Sequence, residues 1–163
     1  KQTGRLKKNL LGENNPFMWR NVVSEVDRDA LKPMIQGFDP KYLIDLLGLR
    51  SVEVLEKIAA GESDIDPRTF TLLQLITNQH PIFEIRAFDG FDKPLSIQPP
   101  SLDDFRNVRQ QCGLKQPQFS KLMNLNRLTV KQYDKGEKKP PASTWTLFLL
   151  AINRHPNYEI GLK

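Results

Sequence analysis

The side chains best suited to binding another molecule by hydrogen bonds are concentrated in one stretch, NRLTVKQYDKGEKK at residues 126–139. An arginine can donate two hydrogen bonds to guanine, a glutamine can form two with adenine, and a leucine can contact the thymine methyl group. Lysines beside such groups suit phosphate oxygens. The stretch therefore predicts non-covalent recognition of duplex DNA, by Arg127, Leu128, Gln132, Lys135, Lys138 and Lys139. The alternative is that the lysines form only a solvated face.

Such side chains need a helix that holds them on one side, and the sequence supplies its two ends. Asn126 suits the N-cap, and Gly136 suits a left-handed C-cap. Between them, Val130 and Tyr133 are spaced to face a core. We therefore predict a helix over residues 126–135.

Caps and apolar spacing predict three further helices around it. The first begins after Ser101 as its N-cap and ends at Gly113. The second has Pro117 in its first turn and stops near Asn124, where an asparagine tolerates a left-handed turn. A fourth helix covers about residues 142–154.

A helix followed by a short alternating stretch occurs twice. Residues 69–85, TFTLLQLITNQHPIFEI, and residues 144–160, TWTLFLLAINRHPNYEI, are identical at 9 of 17 positions. Shorter matches upstream keep the 75-residue offset to within one residue, so the duplication covers whole domains. We predict short strands at 82–88 and 157–162 that pair with each other.

The first copy lacks the basic helix. Its equivalent segment, SVEVLEKIAAG, carries Glu53 and Glu56 where the second copy has Arg127 and Lys131, and carboxylates facing phosphates would repel them. Its predicted role is that of a degenerate domain used for scaffolding or self-association.

Charge follows the same division, because residues 30–89 hold 6 Lys and Arg against 9 Asp and Glu, whereas residues 101–163 hold 11 against 5. A basic half beside an acidic half indicates that one copy meets a polyanion. The predicted organisation is a basic amino-terminal segment at 1–29, a degenerate domain at 30–89, a linker at 90–100 and a DNA-binding domain at 101–163.

Residues 109–141, RQQCGLKQPQFSKLMNLNRLTVKQYDKGEKKPP, resemble the lambda-repressor-like (Cro/C1, XRE-type) helix-turn-helix family. The shared pattern is Arg, three residues, Gly-Leu, a helix, a turn, Thr-Val, an aromatic residue before an acidic one, and Gly. Lys115 replaces the usual Ser or Thr cap. The resemblance covers about residues 101–154 and implies a mainly α fold with two tandem helix-turn-helix domains, each followed by a short β-strand.

The resemblance also implies roles for single residues. Gln116 would open the second helix and contact a phosphate or orient a recognition side chain, and Lys131 would reach a base or a phosphate. Arg109 and Asp134 match a structural ion pair between helices. The residues implied to bind DNA are Gln116, Asn126, Arg127, Leu128, Lys131, Gln132, Lys135, Lys138 and Lys139.

Other kinds of chemistry have little support in the sequence. His80 and His155 occupy the same place in both copies, just beyond a helix, where we expect each ring to cap the last carbonyls. No second His or Cys gives them metal-ligand spacing, and no phosphate-binding loop or nucleophile elbow is present. We expect no metal, no cofactor and no enzymatic activity.

The expected cellular location rests on the absence of membrane-spanning and secretory patterns in the sequence. The longest apolar run, Leu147–Ile152, is far shorter than the ~20 residues of a membrane span, and the amino terminus has no apolar secretory core. The lone Cys112 is expected to be a buried apolar residue in a reducing compartment. We expect a cytoplasmic, nucleoid-associated protein with no membrane partner. Because the chain starts with Lys1 rather than Met, we also expect a processed or shortened amino terminus.

The sequence thus predicts a sequence-specific duplex DNA-binding transcriptional regulator, a repressor or autoregulator of a bacterial, plasmid or phage operon. We expect it to bind two half-sites as a homodimer. The alternative is an antitoxin-type protein that binds a basic protein partner through its acidic first domain and its operator through the second.

Overall fold

The fold is mainly helical with one small sheet, as predicted. The computed structural model describes residues 23–99 and 101–163, and in these it contains eight α-helices and two β-strands. The elements are α1 (Arg28–Gln36), α2 (Pro40–Leu47), α3 (Val52–Ala59), α4 (Pro67–Ile76), β1 (Phe83–Ala87), α5 (Leu102–Gln111), α6 (Gln116–Met123), α7 (Arg127–Asp134), α8 (Ala142–Ala151) and β2 (Tyr158–Leu162).

The second half has its helices where the capping residues predict them, with two differences. The Ser101 side chain precedes α5 but makes no capping hydrogen bond. Helix α8 ends at Ala151, before the predicted residue 154, because the chain turns at Asn153 with φ 57° and so leaves the helical conformation. The left-handed turn predicted at Asn124 is present, with φ 53°.

The order and packing of the elements repeat from one half to the other. Helix α1 packs on α3 as α5 packs on α7, and α2 packs on α3 and α4 as α6 packs on α7 and α8. Each half then ends in a strand that packs on its own last helix. Helices α4 and α8, which are almost entirely buried, also pack against each other and form the centre of the core.

Strands β1 and β2 pair with each other in an antiparallel arrangement, as predicted. Ile85 lies opposite Ile160, which is its own equivalent in the other copy at the 75-residue offset. The ladder extends at both ends through two equivalent bonds, from Phe88 N to Asn157 O (3.0 Å) and from Lys163 N to Ile82 O (2.9 Å). Exchanging the two copies therefore leaves the pairing unchanged, so a local two-fold axis passes between the strands.

The two histidines have equivalent roles, but not the predicted one. Nδ1 of His80 accepts hydrogen bonds from the N–H groups of Ile82 and Phe83. Nδ1 of His155 accepts them from Asn157 and Tyr158 in the same way. The Nδ1 atoms therefore fix the entry into each strand, where we had expected each ring to cap the preceding helix carbonyls. A ring nitrogen that accepts N–H groups cannot donate to a carbonyl, and Nε2 of His155 lies at Leu95 O, which belongs to no helix.

The segment predicted as a linker is packed between the two halves. Leu95 is fully buried, and its N–H and that of Ser96 donate to Leu46 O at the end of α2 (3.1 and 2.7 Å). The Tyr158 hydroxyl donates to Lys93 O at 2.6 Å. Burial raises the pKa of Tyr158 to about 12, so this donor keeps its proton.

The predicted boundary between residues 29 and 30 falls inside α1, which has Asp27 as its N-cap. Ser24 N donates to Thr71 Oγ1 just as Ile97 N donates to Thr146 Oγ1, both at 2.8 Å, so each half includes an extended segment before its first helix. The rest of the predicted basic segment, residues 1–22, lies outside the described residues. Cys112 is buried, as predicted. None of the helices in the described ranges has the length and apolar character needed to cross a membrane.

Protonation of His155 should destabilise the fold. Its burial lowers the pKa, although Nε2 lies 2.7 Å from Leu95 O, a contact that raises it. The unfolded chain then binds a proton more readily, so stability is complete above the ordinary pKa of ~6.5 and falls as the pH drops below it, by at most ~1.4 kcal/mol per pH unit for one proton.

Urea unfolding of the wild type and of His155→Asn between pH 7.5 and 5.5 measures this effect, since an Asn carbonyl can accept the same N–H groups without titrating. The wild type should lose more stability than the variant over this interval. Equal losses of unfolding free energy in the two proteins would show that His155 does not contribute to the pH dependence of stability.

Candidate nucleic-acid interface

The turn before α7 is fixed by hydrogen bonds within the second half. Leu125 N donates to Ser120 O at 2.9 Å, and the Ser120 hydroxyl donates to Leu125 O. Asn126 Oδ1 then accepts the N–H of Thr129 at 2.7 Å as the N-cap of α7. These contacts set where α7 begins, and they show that the Asn126 side chain has a capping role.

The predicted ion pair between Arg109 and Asp134 is present and buried, with side chains only 6% and 7% exposed. The pairing is bidentate, because Arg109 Nε and Nη2 donate to the two carboxylate oxygens at 3.2 and 2.5 Å. Nη1 of the same arginine donates to Leu114 O at 2.6 Å, and Gln116 Nε2 donates to Asp134 at 2.6 Å. One guanidinium and one carboxylate thus join the end of α5, the start of α6 and the end of α7.

Gln116 contacts a structural residue in this network, which differs in part from its predicted role. Its amide orients Asp134, which is a structural carboxylate and not a recognition side chain. An amide nitrogen carries two hydrogens, so donation to a phosphate remains a prediction. The Lys115 side chain makes no capping hydrogen bond, but its N–H donates to Gln118 Oε1 at 2.8 Å, so Gln118 satisfies the backbone of the N-cap residue.

Helix α7 directs Val130 and Tyr133 into the core and leaves its opposite side free. The exposed residues lie on adjacent rows of the helix, at spacings of three and four, and Gln132 beside them is half-buried. Leu128 is 65% exposed and makes no contribution to the core. The exposed residues of this surface, which we call the α7 face, are Arg127, Leu128, Lys131 and Lys135.

Lys138 and Lys139 lie beyond the helix, in the exposed connection between α7 and α8. Lys138 N donates to Gln132 O at 3.3 Å, which folds this connection back against the end of α7. Among the described residues, no Asp or Glu forms an ion pair with Arg127 or with any lysine of this region. Their charge is therefore available to an external anion.

Two cationic residues that were not among the predicted DNA-binding residues line an open depression beside the buried network. Arg106 and Lys115 line it together with Gln116 and Lys135. Arg106 lies one helical turn before Arg109, and this spacing was the available sequence signal.

Helix α3 of the first half differs from α7 in charge. Its N-cap is Ser51, as Asn126 is for α7, so Glu53 corresponds to Leu128 and Glu56 to Lys131. The predicted correspondence of Glu53 with Arg127 was off by one position, because the residue at that place is Val52. Both glutamates are exposed and line an open depression with Glu62.

Arg68 of the first half supports the turn that precedes α7, and sequence reasoning missed it. Asp66 accepts two hydrogen bonds from Arg68 side-chain nitrogens, at 2.9 Å from Nε and 2.7 Å from Nη2. Nη1 donates to Met123 O and Asn124 O, at 2.8 and 3.0 Å. Since these carbonyls end α6, an arginine from one copy caps a helix of the other.

Comparison with known protein families, with curated proteins and with solved structures found no match. Within the described ranges, no three His, Cys, Asp or Glu side chains come together in a group that could hold a metal ion.

Removal of the Asp134 carboxylate should be costly, because it leaves Arg109 buried without a counter-charge. We expect Asp134→Ala to lower the free energy of unfolding by ~3–5 kcal/mol. Chemical denaturation measures the loss, and the double variant Arg109→Met/Asp134→Leu should recover a large part of it. A loss below ~1 kcal/mol, the value typical of surface pairs, would contradict this role.

Replacement of Arg68 should loosen a turn in the other half of the chain. Arg68→Met keeps the length of the side chain but leaves two carbonyls without a donor, at an expected cost of ~1–3 kcal/mol. Amide hydrogen exchange should accelerate at Leu125 and at Thr129. Arg50→Met, which removes an exposed arginine from the same half, serves as the control. Unchanged exchange in the second half of Arg68→Met would refute the bracing role.

Proposed function

We propose that the chain is a sequence-specific duplex DNA-binding regulator, and that α6, the Asn124 turn and α7 act as a helix-turn-helix. Helix α7 enters the major groove with the α7 face and Gln132 directed at the base edges. In this proposal each half is a helix-turn-helix domain, and the first is a degenerate one. The protein acts at the nucleoid as a repressor or autoregulator of a bacterial, plasmid or phage operon.

The observation that carries the proposal is the contrast between the two sides of α7. One side is held by a buried bidentate ion pair and a buried tyrosine, so the orientation of the helix is fixed. The other side exposes an arginine, a leucine and two lysines, and their side chains form no hydrogen bond or ion pair with the described residues. A rigid helix with free, pre-oriented donors is what direct recognition of base pairs requires.

The residues around α7 that we propose to contact DNA divide into two groups by position. Arg127, Leu128 and Gln132 lie on the first two turns, where a recognition helix contacts bases. Lys135, Lys138 and Lys139 lie at and beyond the helix end, and Arg106 and Lys115 flank Gln116. The second group suits two neighbouring stretches of phosphates.

A second candidate function is favoured by the acidic surface of α3. Exposed Glu53, Glu56 and Glu62, with Lys57 among them, line a depression that carries a net negative charge and could accept a basic segment of a partner protein, as in an antitoxin. Co-purification of one basic protein, released by Glu53→Lys but not by Arg127→Ala, would support this function.

Base recognition and phosphate contact should separate by mutation. Arg127→Ala and Gln132→Ala should each cost ~1–3 kcal/mol on the preferred site and relax the base choice at one position. Binding to random DNA should change little. Selection from random duplex DNA, followed by titration of the selected sites, measures both effects. Unchanged base preference in both variants would contradict the assignment.

The lysines should act on all sequences equally. Lys138→Ala and Lys139→Ala should each weaken specific and random binding alike and reduce the slope of log affinity against log salt by about one. Lys32→Ala removes the same charge from an exposed position on α1 and should leave the slope unchanged. Loss of base preference in the Lys138 or Lys139 variant, with an unchanged slope, would contradict phosphate contact.

A further inference from the structure

The local two-fold axis between the halves has a consequence for the shape of the DNA site. An antiparallel strand pair has its two-fold axis perpendicular to the sheet, and here the axis passes beside Ile85 and Ile160. Rotation about an axis preserves height along it. Because the helices of the two halves have the same order and packing, we infer that the same rotation relates α3 to α7 and places them at the same height on opposite sides of the axis.

The two halves form an interface with each other within one chain. Strands β1 and β2 pair with each other along their facing edges, and helices α4 and α8 pack against each other. Arg68 adds hydrogen bonds from one half to the end of α6 in the other. The first half thus occupies in cis the place that a second subunit would take.

The two equivalent helices differ in charge where a duplex would pass. The α7 face presents Arg127 and Lys131, whereas α3 presents Glu53 and Glu56 at the positions of Leu128 and Lys131. A duplex that lies across the axis and contacts α7 would bring its flanking phosphates near these carboxylates. Like charges repel there, and the repulsion is strongest at low salt.

We propose that one chain binds one asymmetric DNA site: α7 contacts a single half-site, and the acidic α3 keeps the neighbouring half-site unbound. This inference rests on the proposed DNA-binding function and replaces the expected homodimer on two half-sites. The first half acts as a built-in partner that positions α7 and also limits the length of the site.

Selection from random duplex DNA with the full chain, followed by native mass spectrometry on the selected duplex, tests the inference. We expect an asymmetric consensus within one helical turn and one chain per duplex. A palindromic consensus with two chains per duplex would overturn the inference and leave the proposed function intact. The absence of any sequence-selective binding would overturn the proposed function, and the inference with it.

A charge variant tests the role of α3 separately. Glu53→Gln/Glu56→Gln should bind the selected site and random DNA several-fold more tightly at low salt, with the same consensus and a footprint extended on one side. Glu25→Gln/Asp89→Asn removes two exposed carboxylates elsewhere in the chain and serves as the control. An equal gain in the control, or no gain in the α3 variant, would show that α3 does not face the flanking duplex.

Discussion

Two five-residue strands cannot form a stable sheet alone in water, so β1 and β2 depend on each other and on the helices beneath them. Their pairing joins the two halves at equivalent positions, and α4 packs against α8, two helices that are almost entirely buried. Neither half could bury its last helix and its strand without the other. The symmetric pairing is therefore the constraint on which the folding of both halves depends.

On this symmetric frame the two halves carry different chemistry. The first half supplies Arg68, whose guanidinium ends α6 of the second half, and a solvated acidic helix. The second half uses its own arginine, Arg109, to hold the end of α7 and leaves the α7 face free. Under the proposed function, the first half would support the second, and the second would carry the recognition surface.

Part of this arrangement could be predicted from local sequence signals. Asn124 marks a turn because it tolerates the left-handed conformation, and Asn126 marks an N-cap because its side chain can accept a helix N–H; the structure confirms both. The duplication predicted the strands and their pairing. The ion pair followed from the resemblance, because its partners are 25 positions apart in the chain and no helical spacing links them.

The rest depends on contacts that have no sequence signature. Arg68 reaches a turn 55 residues away through main-chain carbonyls, which every residue possesses. The segment predicted as a linker is held by a hydrogen bond from the Leu95 N–H to Leu46 O, and every residue except proline has such an N–H. The histidines were placed correctly but given the wrong partner, because sequence does not show which side of a ring faces a helix end.

The proposed contact between Arg127 and a base in the major groove can be tested by methylation interference at guanine N7. Guanine N7 lies in the major groove, where an arginine can donate to it. We expect methylation of one guanine in the selected site to block binding of the wild type, and Arg127→Ala to be insensitive to methylation at that guanine alone. Interference that is confined to minor-groove positions, or that is identical in the wild type and Arg127→Ala, would contradict it.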